Sequence, residues 1–259
     1  MNRYLAIVPA YNEVGAVAAT IGEINAAAPD FDVLVIDDGS SDGTDVAAAA
    51  AGARVVSLPF NLGIGAAVQC GYLYARARGY EVAVQVDGDG QHDPRDIPRL
   101  LAALTAATET HLVTGSRFLA HPPAPDSDPH AGASEAGHRS TAYRRLGIAV
   151  FARVVSLLTR QRVTDPTSGF RMVDRLGIEL FARDYPSDYP EVEAIVLAHS
   201  YALHTREIAV RMRPRTTGSS KISTSVSVYY LFKVLLAVIV SALRTHPQAE
   251  PGSLSEVAP

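Results

Sequence analysis

The strongest constraint on what this chain can fold into is a repeated order: a short apolar run, a polar loop, then a stretch with apolar residues at helical spacing. "RYLAIVPA" is interrupted by a proline, "FDVLVIDDGSSDGT" runs into a polar turn, and "YEVAVQVDGDG" ends in carboxylates. "ARVVSLPF" supplies a further strand. Between these runs lie "EVGAVAATIGEINAAA", an alanine-rich stretch that Asp42 or Thr44 can cap, and "IGAAVQCGYLYARARG", closed by Gly79. Strands alternating with helices predict βαβ units, an α/β fold with a mostly parallel central sheet flanked by helices. In such sheets ligands gather at the carboxyl ends of the strands. The loops "PAYNE", "DDGSSDGT" and "DGDGQHDP" all fall there.

Further along, "LAALTAATE" reads as a helix and "HLVTGSRF" as a strand. Residues 119–140, rich in Pro, Ala, Gly, Ser and Asp, are expected to form a mobile loop over the site. A helix from about Tyr143 to Thr159 follows, then "VTDPTSGFRMVDR", a helical stretch including "PEVEAIVLAHSY", and a strand in "LHTREIAVRMRPR". "VSVYYLFKVLLAVIVSAL", Val226 to Leu243, is the most apolar segment. Lys233 near its middle costs about 2.5–3.5 kcal/mol on membrane-insertion scales. Three readings stay open: docking on a membrane surface or membrane-protein partner, a helix packed on its own domain or in a homodimer, and a true span. The expected layout is a catalytic domain over 1–222, a C-terminal apolar helix over 223–245 and a disordered tail over 246–259.

Composition removes several classes. With 259 residues, 47% of them hydrophobic, the chain can bury a real core as one large domain or two small ones. A net charge of −4 argues against a general nucleic-acid binder. Cys70 is the only cysteine, which excludes an intramolecular disulfide and a cysteine zinc cluster and fits a reducing compartment. The apolar run before Pro9 is too short for a secretory signal, so a cytoplasmic location is expected.

The chemistry concentrates in "DGDGQHDP". Asp87 and Asp89 flank Gly88, and Gln91 can add a neutral oxygen. Hard oxygen ligands suit Mg2+ or Mn2+ sharing its shell with substrate phosphates. The alternative is a solvated Asp/Gly turn. Asp38 can accept from a ribose or base, or cap amides of its loop. "NLGIGAA" lacks the third glycine of a dinucleotide fingerprint, and helix–sheet packing explains Gly63 and Gly65 equally well.

In order, "VPAYNE", "VIDDGSSDGT", "NLGIGAAVQCGYLYA", "DGDGQHDP", "GSRF", "DPTSGFR" and "RPRTTGSSK" resemble the family-2 glycosyltransferases with the Rossmann-like GT-A fold. The set looks most like the polyprenyl-phosphate branch, and the resemblance covers roughly residues 4–222. It implies a nucleotide-sugar donor of the UDP, GDP or dTDP type, held by Pro9, Tyr11, Glu13, Asp38, Gly63 and Asp87. It implies a cation held by Asp87, Asp89 and Gln91, and an inverting transfer in which Asp89 and Arg117 take part. Ser168, Arg171, Arg213 and Lys221 are implied near the phosphates or acceptor, where arginine forks match phosphate oxygens. "TTGSSK" reads as a segment that closes over bound donor. The implied acceptor is a polyprenyl phosphate, met by an enzyme peripheral on the inner face of the membrane. The rival acceptor is a hydroxyl of a glycan or small molecule, which needs a base, and Glu191 and Glu193 are the candidates. A non-catalytic nucleotide-sugar-binding subunit is the remoter alternative.

Overall fold

The computed structural model describes residues 3–106, 109–120, 142–213, 233–236 and 238–240, with only the backbone for 142–146. Lys221, the "TTGSSK" segment, the tail 246–259 and all but two residues of the 119–140 loop lie outside the described residues. The strands are β1 (Tyr4–Ala10), β2 (Phe31–Asp37), β3 (Arg54–Ser57), β4 (Val82–Gln85), β5 (Thr110–Ser116), β6 (Arg171–Asp174) and β7 (His204–Ala209). The helices are α1 (Val17–Ala27), α2 (Thr44–Ala50), α3 (Ile64–Ala77), α4 (Ile97–Thr105), α5 (Ala142–Thr159), α6 (Arg175–Arg183) and α7 (Pro190–Ser200).

The strands form one sheet in the order β3-β2-β1-β4-β6-β5-β7. Pairing is parallel from β3 to β4 and between β5 and β7, whereas β6 runs antiparallel to both of its neighbours. Helices cover both faces, so the central strands are apolar throughout rather than alternating. In β1, Leu5 and Ile7 face one layer with Val68, Tyr72 and Phe181. Ala6 and Val8 face the other, with Ile21, Ile24 and Leu100. Local sequence accounts for the helix starts too: Asp42 Oδ1 accepts from the Thr44 amide at 3.0 Å, just ahead of α2.

Register decides what shares an edge. Ala10 pairs with Asp37, Gln85 with Ile7, Gln85 and Thr114 with Arg171, and Ser116 with Ala209. Because β6 is reversed, its first residue meets the last residue of β4. The loop before β6 therefore joins the loops after β1, β2, β4 and β5. The sequence reading left β6 unassigned, since four residues carry too little periodicity to be recognised.

The expectation of a C-terminal apolar helix poised to meet a membrane is corrected. Among the described residues this stretch contributes only helical pieces at 233–236 and 238–240. Val234 and Val238 are buried in a third cluster with Phe151 and Val155 of α5 and Val192, Ile195 and Val196 of α7. The Lys233 ammonium sits 5.7 Å from the centre of the Tyr189 ring. No helix among the described residues is long and apolar enough to cross a membrane. The partner surface assigned to 226–243 falls with it, because these valines are engaged inside the molecule. Apolarity alone cannot tell a helix that meets lipid from one that meets its own domain.

Candidate active site

The Asp87–Asp89 loop lies directly on the end of β1. The Gly88 amide donates to the Pro9 carbonyl at 3.2 Å, and a Cβ at Gly88 would come within 3.1 Å of that oxygen. Asp87 is partly exposed and accepts from Gln85 Nε2 at 3.2 Å. Asp89 is buried, and its Oδ1 accepts from the Gln91 amide at 3.0 Å. The Gln91 carbonyl in turn accepts from the Arg213 amide at 2.9 Å.

Behind this loop stands His92, which the sequence reading passed over. It is buried and stacks on Phe170 with ring centres 4.8 Å apart. Its Nδ1 accepts from the Asp87 amide at 3.0 Å, and its Nε2 lies 3.6 Å from the Asp87 carboxylate. In front, Gly169 leaves room: a Cβ there would lie 3.3 Å from both Asp87 oxygens. The donor set that the resemblance implies, Asp87, Asp89 and Gln91, would be two carboxylates and an amide side chain. Among the described residues no three His, Cys, Asp or Glu side chains converge to enclose a metal. These residues fit a hard divalent cation that completes its shell with phosphate and water, not a closed structural site.

The first two loops are sewn together. Asn12 N donates to Ser40 Oγ at 2.9 Å, and Ser41 N to Asn12 Oδ1 at 3.0 Å. The Glu13 amide donates to Thr44 Oγ1 at 2.9 Å, and Tyr11 is exposed on the rim. Asp38 is buried, and its two oxygens accept from the amides of Leu62 at 2.7 Å and Gly63 at 2.9 Å. Of the two roles left open for Asp38, the structure displays amide capping, applied to the neighbouring loop. Gly63 immediately precedes α3.

The described arginines assigned to phosphate are engaged within the protein. Arg117 forks onto Asp165, with Nε and Nη2 each 2.6 Å from a carboxylate oxygen. Arg171 is fully buried, and Nε donates to the Ser168 carbonyl at 2.9 Å, Nη1 to Pro190 at 3.4 Å and Nη2 to Pro166 at 3.2 Å and to Glu191. It stitches the loop before β6 to the first turn of α7. Its donors face main-chain carbonyls rather than an open phosphate site. Arg213 pairs with Glu23 at 2.5 Å and Asp93 at 3.0 Å. Ser168 is buried, and its Oγ accepts from the Phe170 amide at 3.3 Å.

Glu191, in that first turn of α7, lies within electrostatic reach of Asp87, Arg171 and Arg117. Burial pushes its carboxyl above the usual range. Asp87 adds to this, and the two guanidinium groups only partly oppose it. Glu193 is two residues on, about 200° around the helix, and so presents to a different side.

The family described as "Glycosyl transferase family 2" matches residues 5–154. A polyprenol monophosphomannose synthase of Mycolicibacterium smegmatis is 31% identical over 243 residues, 90% of this chain and 86% of that protein. An undecaprenyl-phosphate mannosyltransferase of Micrococcus luteus is 42% identical over 120 residues, spanning 44% of this chain and 48% of that protein. A crystal structure of glucosyl-3-phosphoglycerate synthase from Mycobacterium tuberculosis with Mn2+, UDP and phosphoglyceric acid superposes with a TM-score of 0.65 at 19% identity, covering 92% of this chain and 78% of that one. Together with the GT-A-like sheet and the loops gathered at its edge, these matches establish a nucleotide-sugar-dependent glycosyltransferase, and the chain belongs to glycosyl transferase family 2.

Proposed function

We propose that the enzyme transfers the sugar, with inversion, to a hydroxyl of a small phosphate-bearing molecule or glycan, and that Glu191 accepts the hydroxyl proton. The observation that carries this reading is Glu191 itself, a partly buried carboxyl in the first turn of α7 within electrostatic reach of Asp87. A hydroxyl must lose a proton as it attacks, whereas a phosphate is already anionic. The acceptor oxygen forms its bond to the anomeric carbon while the bond to the nucleoside diphosphate breaks, and the proton passes to Glu191.

Asp87 and Asp89, with Gln91, would hold Mg2+ or Mn2+, which when bound offsets the charge of the departing diphosphate. Structures of the same fold hold Mn2+ or Mg2+ beside UDP, so a UDP-sugar with either metal is the first pairing to test. Asp38 and Gly63 shape the donor loop, and Pro9, Tyr11 and Glu13 line its other side. A second reading, transfer to a polyprenyl phosphate, is favoured by the relative that matches 90% of this chain.

The test mixes purified enzyme and Mn2+ with labelled UDP-glucose or GDP-mannose, offering 3-phosphoglycerate, simple sugars or a short polyprenyl phosphate. A water-soluble labelled product whose formation falls at least about 100-fold in Glu191→Gln supports the hydroxyl reading. Label in the organic phase, with Glu191→Gln at the wild-type rate, would replace it by the lipid-phosphate reading.

A further inference from the structure

Two carboxylates that the transfer scheme does not use lie one behind the other beneath Arg117. Asp165 is fully buried, and its Oδ2 accepts from both the amide and Nε of Arg117, at 3.1 and 2.6 Å. Its Oδ1 accepts from Nη2 at 2.6 Å, and Thr167 Oγ1 accepts from the same Nη2 at 2.6 Å. Behind Asp165 stands Glu207 of β7. Its carboxylate accepts from the Thr164 amide at 2.8 Å, from Thr164 Oγ1 at 2.7 Å and from the Asp165 amide at 2.9 Å. The Ser116 hydroxyl, last in β5, closes the arrangement at 2.6 Å from Thr164 Oγ1.

A buried ion pair is a poor source of net stability, because desolvation offsets much of its attraction. A two-oxygen fork does something else well: it fixes the plane and direction of a guanidinium. The carboxylate of Glu207 meets main-chain amides instead of a cation, so it sets the position of a turn. That turn carries Asp165, and Asp165 holds Arg117, whose charge reaches the Glu191 carboxyl at the sheet edge.

We propose that Asp165 and Glu207 are positioning residues for sugar transfer, Glu207 holding the 164–165 turn so that Asp165 presents the Arg117 guanidinium to the site in one orientation. The inference holds for either acceptor class, since it concerns how Arg117 is held.

The Arg117 Nε–H signal, assigned by its loss in Arg117→Lys, is followed in a proton–nitrogen correlation spectrum of the full chain. Glu207→Gln should shift it or expose it to exchange with water while leaving the Arg171 Nε–H signal in place. An unmoved Arg117 signal overturns the proposal. Turnover is then measured with Mn2+ and whichever of UDP-glucose or GDP-mannose the wild type consumes. Asp165→Asn and Glu207→Gln should each lower kcat by up to about 100-fold, the scale of a misplacement near 1 Å. Donor Kd should stay within about twofold, as expected for a loss felt in the transition state. Combined with Arg117→Lys, neither variant should lose much more than Arg117→Lys alone. Losses that multiply, or a donor affinity that falls in step with kcat, would mean a merely structural role. Should Glu207→Gln fail to fold, Thr167→Val removes the contact to Nη2 together with the hydrogen bond that Thr167 Oγ1 donates to Asp165 Oδ1 at 3.1 Å. It should lower kcat about 3–10-fold at unchanged donor Kd, and an unchanged kcat there counts equally against the proposal.

Discussion

As the proposed base, Glu191 carries two opposed demands, and they predict opposite effects of one substitution. A base must be ionised to act, and burial holds this carboxyl above the ordinary range, with Asp87 pushing the same way and Arg171 and Arg117 pulling back. Activity should therefore fall as pH drops through a value higher than a surface glutamate would show. Stability runs the other way. A folded-state pKa above the unfolded one favours folding while the group is protonated, and that contribution is lost as pH rises through the folded value. Above its folded-state pKa the ionised Glu191 thus costs stability, and there Glu191→Gln should melt higher than wild type while being nearly inactive. The gain should shrink as pH is lowered. Calorimetric melting of both proteins as a function of pH checks the sign, and a Tm advantage of Glu191→Gln that grows as pH is lowered would refute it. Other site residues were legible in type but not in partner. Asp87 and Asp89 stood out by spacing, and His92 beside them did not, because a buried histidine under a carboxylate has no signature in the chain order.

At the scale of elements, the site depends on close approaches that glycines permit. A Cβ on Gly65, in the first turn of α3, would lie 2.5 Å from the carbonyl oxygens of Pro186 and Ser187. Those carbonyls belong to the segment leading into α7, so this contact helps to set the helix that bears Glu191. Gly65→Ala must push main chain against main chain, and overpacking of that kind costs about 1–3 kcal/mol. We expect a lower Tm together with a lower kcat, and a variant matching wild type in both would show that α7 is set elsewhere. The sequence reading had named helix–sheet packing as one explanation of Gly65; the contact found is with a loop. Most elements were readable because their periodicity is local: β1, β2, α3 and α7 each show it within their own length. β6 was not, since its place between β4 and β5 is a long-range pairing.

For the whole molecule, the C-terminal stretch tests how the apolar surface is distributed. Val234 is buried among residues of α5 and α7 and does not face outward. Val234→Asp would place a carboxylate in that cluster without an evident partner. It should destabilise the protein by about 2–4 kcal/mol, read as a drop in Tm. Unchanged stability would mean that the cluster does not hold the fold together. Leu236, exposed on the other side of the same stretch, is the matched control.

What the chain determined by itself was the alternation of strands and helices, the gathering of polar loops at the strand ends and the paired carboxylates of the Asp87–Asp89 loop. Each follows from spacing within a few residues, where backbone periodicity and side-chain chemistry suffice. What only the tertiary structure decided was pairing between distant residues. Asp38 holds the amides of Leu62 and Gly63, Arg171 holds the carbonyls of the loop before β6 and of α7, and Glu207 holds Thr164 and Asp165. A charged side chain has the same appearance in the sequence whether it meets a ligand or its own backbone. The difference lies in which buried donors and acceptors would be left unpaired without it, and that is settled only when the strands are in register.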